Sequence, residues 1–107
     1  MRRLMLFAGL ALAAASATAA DPEHLLVIRN HRFEPAELHI PAGKKIKLTI
    51  DNQDASAEEF ESYELNREKV IPGKSKGIVF IGPLSPGRYP FFGDFHQQTA
   101  KGVIVAE

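Results

Sequence analysis

Hydrophobic positions along this chain recur at every second residue far more often than at every third or fourth. In Lys44 to Asp51, Ile46, Leu48 and Ile50 fall on one side, while Lys45, Lys47 and Thr49 fall on the other. That alternation predicts a strand with one wet face. The run His24 to Asn30 is continuously apolar over Leu25 to Ile28 and predicts a strand covered on both faces. Glu37 to Ile40, Lys76 to Gly82, Arg88 to Phe92 and Gly102 to Glu107 read as four more strands. Between them stand Pro41-Ala42-Gly43, Pro72-Gly73 and Ser85-Pro86-Gly87, where proline presets φ and glycine accepts a positive one. Tyr63 to Lys69 is the one stretch open to a helical reading, and it is polar. Short strands and tight turns in so small a chain predict an all-β, antiparallel sandwich with Greek-key connections.

The first twenty residues follow a different pattern. Met1-Arg2-Arg3 is basic, Leu4 to Ala15 is apolar, and Ala17 to Ala20 offers small residues for cleavage, the layout of a secretory signal peptide. The apolar run falls short of the ~20 residues that span a bilayer, so a permanent anchor is the weaker reading. The expected organisation is therefore a signal peptide at 1–20 and one domain at 21–107, located in the periplasm and not itself membrane-spanning after cleavage.

Removing that segment changes the chemistry. Eleven Lys and Arg then face thirteen Asp and Glu, a formal charge of −2, which disfavours nucleic acid as a partner. Both methionines, Met1 and Met5, lie in the leader and there is no cysteine. The exported domain holds no sulfur, so no disulfide can support it and its core must suffice.

Charge is concentrated in one place. Asp51, Asp54, Glu58, Glu59, Glu61, Glu64 and Glu68 face a single base, Arg67, between Asp51 and Glu68. Carboxylates so crowded repel one another, a cost that a bound cation relieves. A solvated acidic face is the plainer reading. Strand alternation also forces a choice: if Phe60 faces the core, Glu58 does too, and Glu59 and Glu61 face the other way. The two sets cannot easily serve one ion. His24 opens a strand, His31 sits in the turn "NHRF", and His39 should point outward, so none of the three is a strong ligand candidate.

Motif order carries a resemblance to a known family. "FEPAELHIPAGKKIKLTIDNQD" and "PGKSKGIVFIGPLSPGRYPFFGDFHQQTAKGVIV" resemble, in sequence and in spacing, the opening and closing segments of cupredoxins, and the likeness covers essentially all of residues 21–107. It implies a cupredoxin-like Greek-key β-sandwich in which the segment before Phe60 and the loop around His96 lie side by side. In blue-copper members two histidines, a cysteine and usually a methionine hold copper. Here these positions fall on Glu58, His96, Gly93 and the Ala100-Lys101 region. Three of the four ligands are replaced. A thiolate gives such centres their colour and fast electron transfer, so a blue-copper carrier is excluded, and without soft ligands a Cu(I) chaperone is disfavoured.

The wording "EFES" followed by "REKVIPG" resembles the cupredoxin-like domains of bacterial periplasmic iron-uptake systems, where the Glu-aromatic-Glu unit falls on Glu59, Phe60 and Glu61. Gly93 departs from members with a cysteine or acid there. The resemblance implies a divalent transition metal, Fe(II) or Cu(II), held by residues among Glu58, Glu59, Glu61, Asp94 and His96, with an iron permease or another uptake component as partner. Asp94 is equally readable as a turn cap, and His96 as a structural histidine. Two other readings stay open: a Cu(II)-binding periplasmic protein and a metal-free docking module. Iron oxidation would make the protein an enzyme, but no residue supplies an electron acceptor.

Overall fold

The computed structural model describes residues 24–107; the leader read at 1–20 lies outside the described residues. Nine strands follow in order: β1 (His24–Arg29), β2 (Arg32–Glu34), β3 (Glu37–Ile40), β4 (Ile46–Asn52), β5 (Glu58–Ser62), β6 (Arg67–Ile71), β7 (Ser75–Ile81), β8 (Gly87–Gly93) and β9 (Lys101–Ala106). A 3-10 turn, Asp94–His96, follows β8. The strands form two sheets, β2-β1-β4-β7 and β3-β9-β8-β5-β6, stacked as a sandwich.

Alternation along β4 buries Ile46, Leu48 and Ile50 and exposes Lys47, and these join Leu26, Ile28, Val79 and Ile81 of their own sheet against Ile40, Phe60, Ile71, Phe91 and Ile104 of the other. Phe33, Phe60 and Phe91 meet at the centre, with ring centroids 4.9 to 6.2 Å apart and two of the three contacts edge to face. Aromatic pairs in that geometry gain about 0.5–1.5 kcal/mol beyond their burial. They form the floor on which the functional loops rest.

Three expectations need correction. The sheets are mixed, because β1 runs parallel to β4 and β3 parallel to β9. The chain crosses from one sheet to the other between β2 and β3, so each of these early strands finds a later partner running in its own direction. The segment opening at His24 is covered on one face only: Leu26 and Ile28 are buried but Leu25 is 44% exposed, since the outer side of its sheet faces solvent. Tyr63 to Lys69 is not helical; Tyr63–Asn66 is the turn of a hairpin, with Asn66 at φ 54°, and β6 follows. Asparagine tolerates that left-handed conformation well.

Candidate metal centre

β5 delivers the first functional group. Phe60 is fully buried, and by alternation Glu58 and Ser62 turn inward with it, while Glu59 and Glu61 face out. Glu58 is only 1% exposed. A carboxylate so deep persists only if its oxygens are well bonded. They are: Oε1 accepts the backbone N–H groups of Phe95 (2.9 Å) and Glu59 (3.0 Å), and Oε2 lies 2.5 Å from His96 Nδ1. Hydrogen bonds to an ionised acceptor are roughly twice as strong as neutral ones.

The room for this carboxylate comes from Gly93. A Cβ built there would stand 2.6 Å from Glu58 Cδ, 2.8 Å from its Oε1 and 2.7 Å from Ala100 Cβ. Gly93 has φ −93° and ψ 114°, ordinary extended backbone. Space, not backbone freedom, therefore excludes a side chain. The position where the resemblance would place cysteine is filled by the glutamate from the neighbouring strand, and the two features answer each other sterically. The loop beyond closes tightly: Ala100 N donates to His96 O, and Gly93 N to Ala100 O. These bonds fix the 3-10 turn that presents His96.

His31 reaches the same place from the opposite sheet. It occupies the turn between β1 and β2, with Asn30 and His31 both at positive φ (54° and 57°). Asp54 holds that turn, its two oxygens accepting the N–H groups of Asn30 (2.8 Å) and His31 (2.9 Å). Thr99 Oγ1 donates to the His31 carbonyl at 2.6 Å. Buried Asn52 in turn shapes the Asp54 loop, accepting the Asp54 N–H and donating to the carbonyls of Ser56 and Ile71. The His31 ring stacks on that of His96, with centroids 3.6 Å apart and planes at 14°. One ligand atom each from His31, Glu58 and His96 lie within 4.8 Å of one another. Exposure rises outward, from 2% for the Glu58 side chain to 28% for His96 and 45% for His31.

The other acids do not join them. Glu59 and Glu61, with Glu68 of β6, form a second cluster on the outer face of β5. Partial burial, then the charges of Asp94 and Glu68, push the Glu59 carboxyl above its usual range. Burial, then the hydrogen bond and charge of Glu68, do the same for Glu61. Asp94 turns toward Glu59 and accepts a hydrogen bond from the Gln97 amide (2.8 Å). The acidity of 51–68 thus does not converge on His96 as the family layout suggested; Glu58 alone reaches it, because each neighbour on the strand must face the other way. His31, a weak ligand candidate by its turn sequence, stands beside Glu58 and His96, a placement that nothing in that sequence signals.

The remaining histidines lie apart from this group. His39 is exposed and bridges Glu107 and Glu37, whose carboxylates, Glu107 foremost, raise its pKa. His24 keeps a buried, unpartnered Nε2. Among the described residues no helix is long and apolar enough to cross a membrane.

Comparison with known proteins gives a consistent picture. The sequence profile of the cupredoxin-like domain family matches residues 2–106. Over 80 residues the chain is 44% identical to the uncharacterized protein RP394 of Rickettsia prowazekii (strain Madrid E), a stretch covering 75% of this chain and 64% of that protein, so the match spans less than two thirds of this relative's length. Among solved structures, amicyanin from Paracoccus versutus superposes with a TM-score of 0.63 at 16% identity, covering 85% of this chain and 87% of its own. The purple cupredoxin of Nitrosopumilus maritimus gives 0.63 at 17%, covering 79% and 100%. At such identities the likeness is one of fold.

Proposed function

This chain belongs to the cupredoxin-like domain family, and from that premise we propose that it is an exported domain binding a divalent transition metal at Glu58 and His96, with ferrous iron as its cargo for a membrane permease. The observation that carries the reading is the buried Glu58 carboxylate, bonded to His96 in the space Gly93 leaves open.

The donor set decides which metal chemistry fits. A blue-copper centre needs a thiolate, and the chain has no cysteine. One carboxylate and imidazole nitrogen suit borderline divalent ions, Fe(II) and Cu(II) among them. Bound there, the ion supplies positive charge to a carboxylate otherwise bonded only to N–H groups. The N–H groups of Phe95 and Glu59 hold Oε1, so Oε2 is the oxygen free to exchange its His96 partner for a metal. Binding displaces whatever proton lies between Oε2 and Nδ1, so affinity falls as pH is lowered. The packed rings of Phe60 and Phe91 below close the inner side to water.

Export rests on the leader pattern, and delivery to an iron permease rests on the resemblance of the "EFES" and "REKVIPG" wording to iron-uptake domains. Copper is the second reading, favoured by a second imidazole beside His96, because Cu(II) binds most nitrogen and oxygen sites more tightly than Fe(II). Anaerobic calorimetric titration with Fe(II), Mn(II) and Cu(II) tests the site. One saturable event per chain is expected, weakened at least about tenfold in His96→Ala and in Glu58→Gln. Binding no tighter than about millimolar, or unchanged in His96→Ala, removes the proposal.

A further inference from the structure

We infer that His31 is a third metal donor, held against His96 by a ring stack that an incoming ion opens. The inference rests on the metal reading of Glu58 and His96 and extends it to a residue that neither the motif order nor the family pattern supplies.

Three observations carry it. First, the His31 backbone is pinned on both sides: Asp54 accepts its N–H and Thr99 donates to its carbonyl. Asparagine at position 30 tolerates its positive φ, but His31 at φ 57° carries strain of order 1–3 kcal/mol that persists only where its surroundings over-determine it. Second, the ring itself is lightly held. Its side chain is 45% exposed, and its Nδ1 is buried without a hydrogen-bond partner, standing 3.4 Å from Asp54 Oδ2. A fixed backbone and a ring held by no hydrogen bond, with only the longer approach of Nδ1 to Asp54, describe a side chain whose position is prepared but whose ring can turn. Third, a ligand atom of His31 already lies within 4.8 Å of donors on both Glu58 and His96.

The stacked geometry shows what must move. An imidazole binds a metal in its own plane, and stacked rings with centroids 3.6 Å apart and planes inclined by 14° have planes that converge only well beyond coordination range. The two rings cannot bind one ion as stacked. Donors about 2.1 Å from a metal stand about 3.0–3.4 Å from one another, so the Glu58 to His96 pair must open from 2.5 Å while the His31 donor draws in. His96 is anchored through its turn and Glu58 Oε1 through two N–H groups, so the pair opens only by the small shift of Oε2 and the imidazole that admits the ion, and the larger motion is rotation of the exposed His31 ring about its pinned backbone. The result is two neutral imidazoles and one carboxylate on one side of the ion, a set that leaves positions open to solvent and suits Fe(II).

Co(II) is a usable probe, since each bound imidazole shows its own hyperfine-shifted ring protons. The mature domain, His31→Ala, His31→Phe and His96→Ala are titrated with Co(II), recording affinity and shifted imidazole sets. His31→Phe keeps an aromatic ring to stack on His96 but cannot ligate. Two shifted imidazole sets in the wild type, with one set and at least about tenfold weaker binding in both His31 variants, support the inference. One set in the wild type, or wild-type affinity in His31→Phe, overturns it while loss of binding in His96→Ala leaves the Glu58 and His96 site standing. Unchanged binding in His96→Ala sinks both.

Discussion

Gly93→Ala tests the steric logic of the centre without replacing a donor residue. The backbone there is extended, so alanine adopts it freely and, through the unfolded chain's lower entropy alone, would stabilise the fold by about 0.4–1 kcal/mol. The contacts oppose that gain. The new methyl would sit 2.6 Å from Glu58 Cδ and 2.7 Å from Ala100 Cβ, and overpacking of a tight interior costs about 1–3 kcal/mol. Pushing the carboxylate aside also weakens bonds to a charged acceptor, each contributing about 1.5–3 kcal/mol when intact. The net expectation is a destabilisation of about 2 kcal/mol. Urea unfolding followed by far-ultraviolet circular dichroism measures it, in a four-protein cycle with Glu58→Ala. Once Glu58 is truncated, the methyl introduced at position 93 loses its nearest neighbour and fills part of the void, so the double variant should be more stable than additivity predicts by at least about 1 kcal/mol. Stabilisation in Gly93→Ala, or additivity within about 0.5 kcal/mol, would show that the glutamate does not occupy the space left at position 93.

Two further outcomes concern charge. Burial alone would raise the Asp54 carboxyl, but the N–H groups of His31 and Asn30, with the nearby His31 and Lys74 charges, hold it below the ordinary aspartate value of 3.8. A depressed folded pKa contributes stability above the unfolded value that is lost as pH falls through the folded one. Asp54→Asn should cost about 1–3 kcal/mol at pH 7, and the gap should narrow on acidification below about pH 4; a pH-independent gap in urea midpoints refutes the assignment. Glu61 has the opposite sign, since its raised folded pKa makes stability decline as pH rises above 4.5. Glu61→Gln should therefore be more stable than wild type at pH 7, with the advantage shrinking toward pH 4.5, and a destabilised variant at neutral pH would contradict it.

Local pattern and tertiary arrangement were unequally legible. Strand β4 announces itself because Ile46, Leu48 and Ile50 line the core while Lys47 faces solvent, although Thr49 on the expected wet side is buried, and the order of turn motifs pointed to the right fold family. The inward pairing of Glu58 with Phe60 follows from alternation alone. The edge strand β6 escaped notice because four of its five residues are exposed, leaving no periodic signal to read. Parallel pairing of β1 with β4 and of β3 with β9 depends on where the chain changes sheets, which no short window encodes. The placement of His31 beside Glu58 and His96 was not legible for the same reason: its partners Asp54, His96 and Thr99 lie 23 to 68 residues away, and only the packed fold brings them to one turn.

The narrow join between β5 and β8 has a consequence for how the domain tolerates change. These strands share only two paired positions, Phe60 with Gly93 and Glu61 with Phe92, and a slip of one residue would turn Glu59 and Glu61 into the aromatic floor and Phe60 into water. The Glu58 bonds to Phe95 and His96 reach past the last pair and act as a latch on alignment. Mutations that disarm this glutamate would therefore be felt as misthreading of the sheet as well as lost affinity, and drift at this position is constrained from two directions at once.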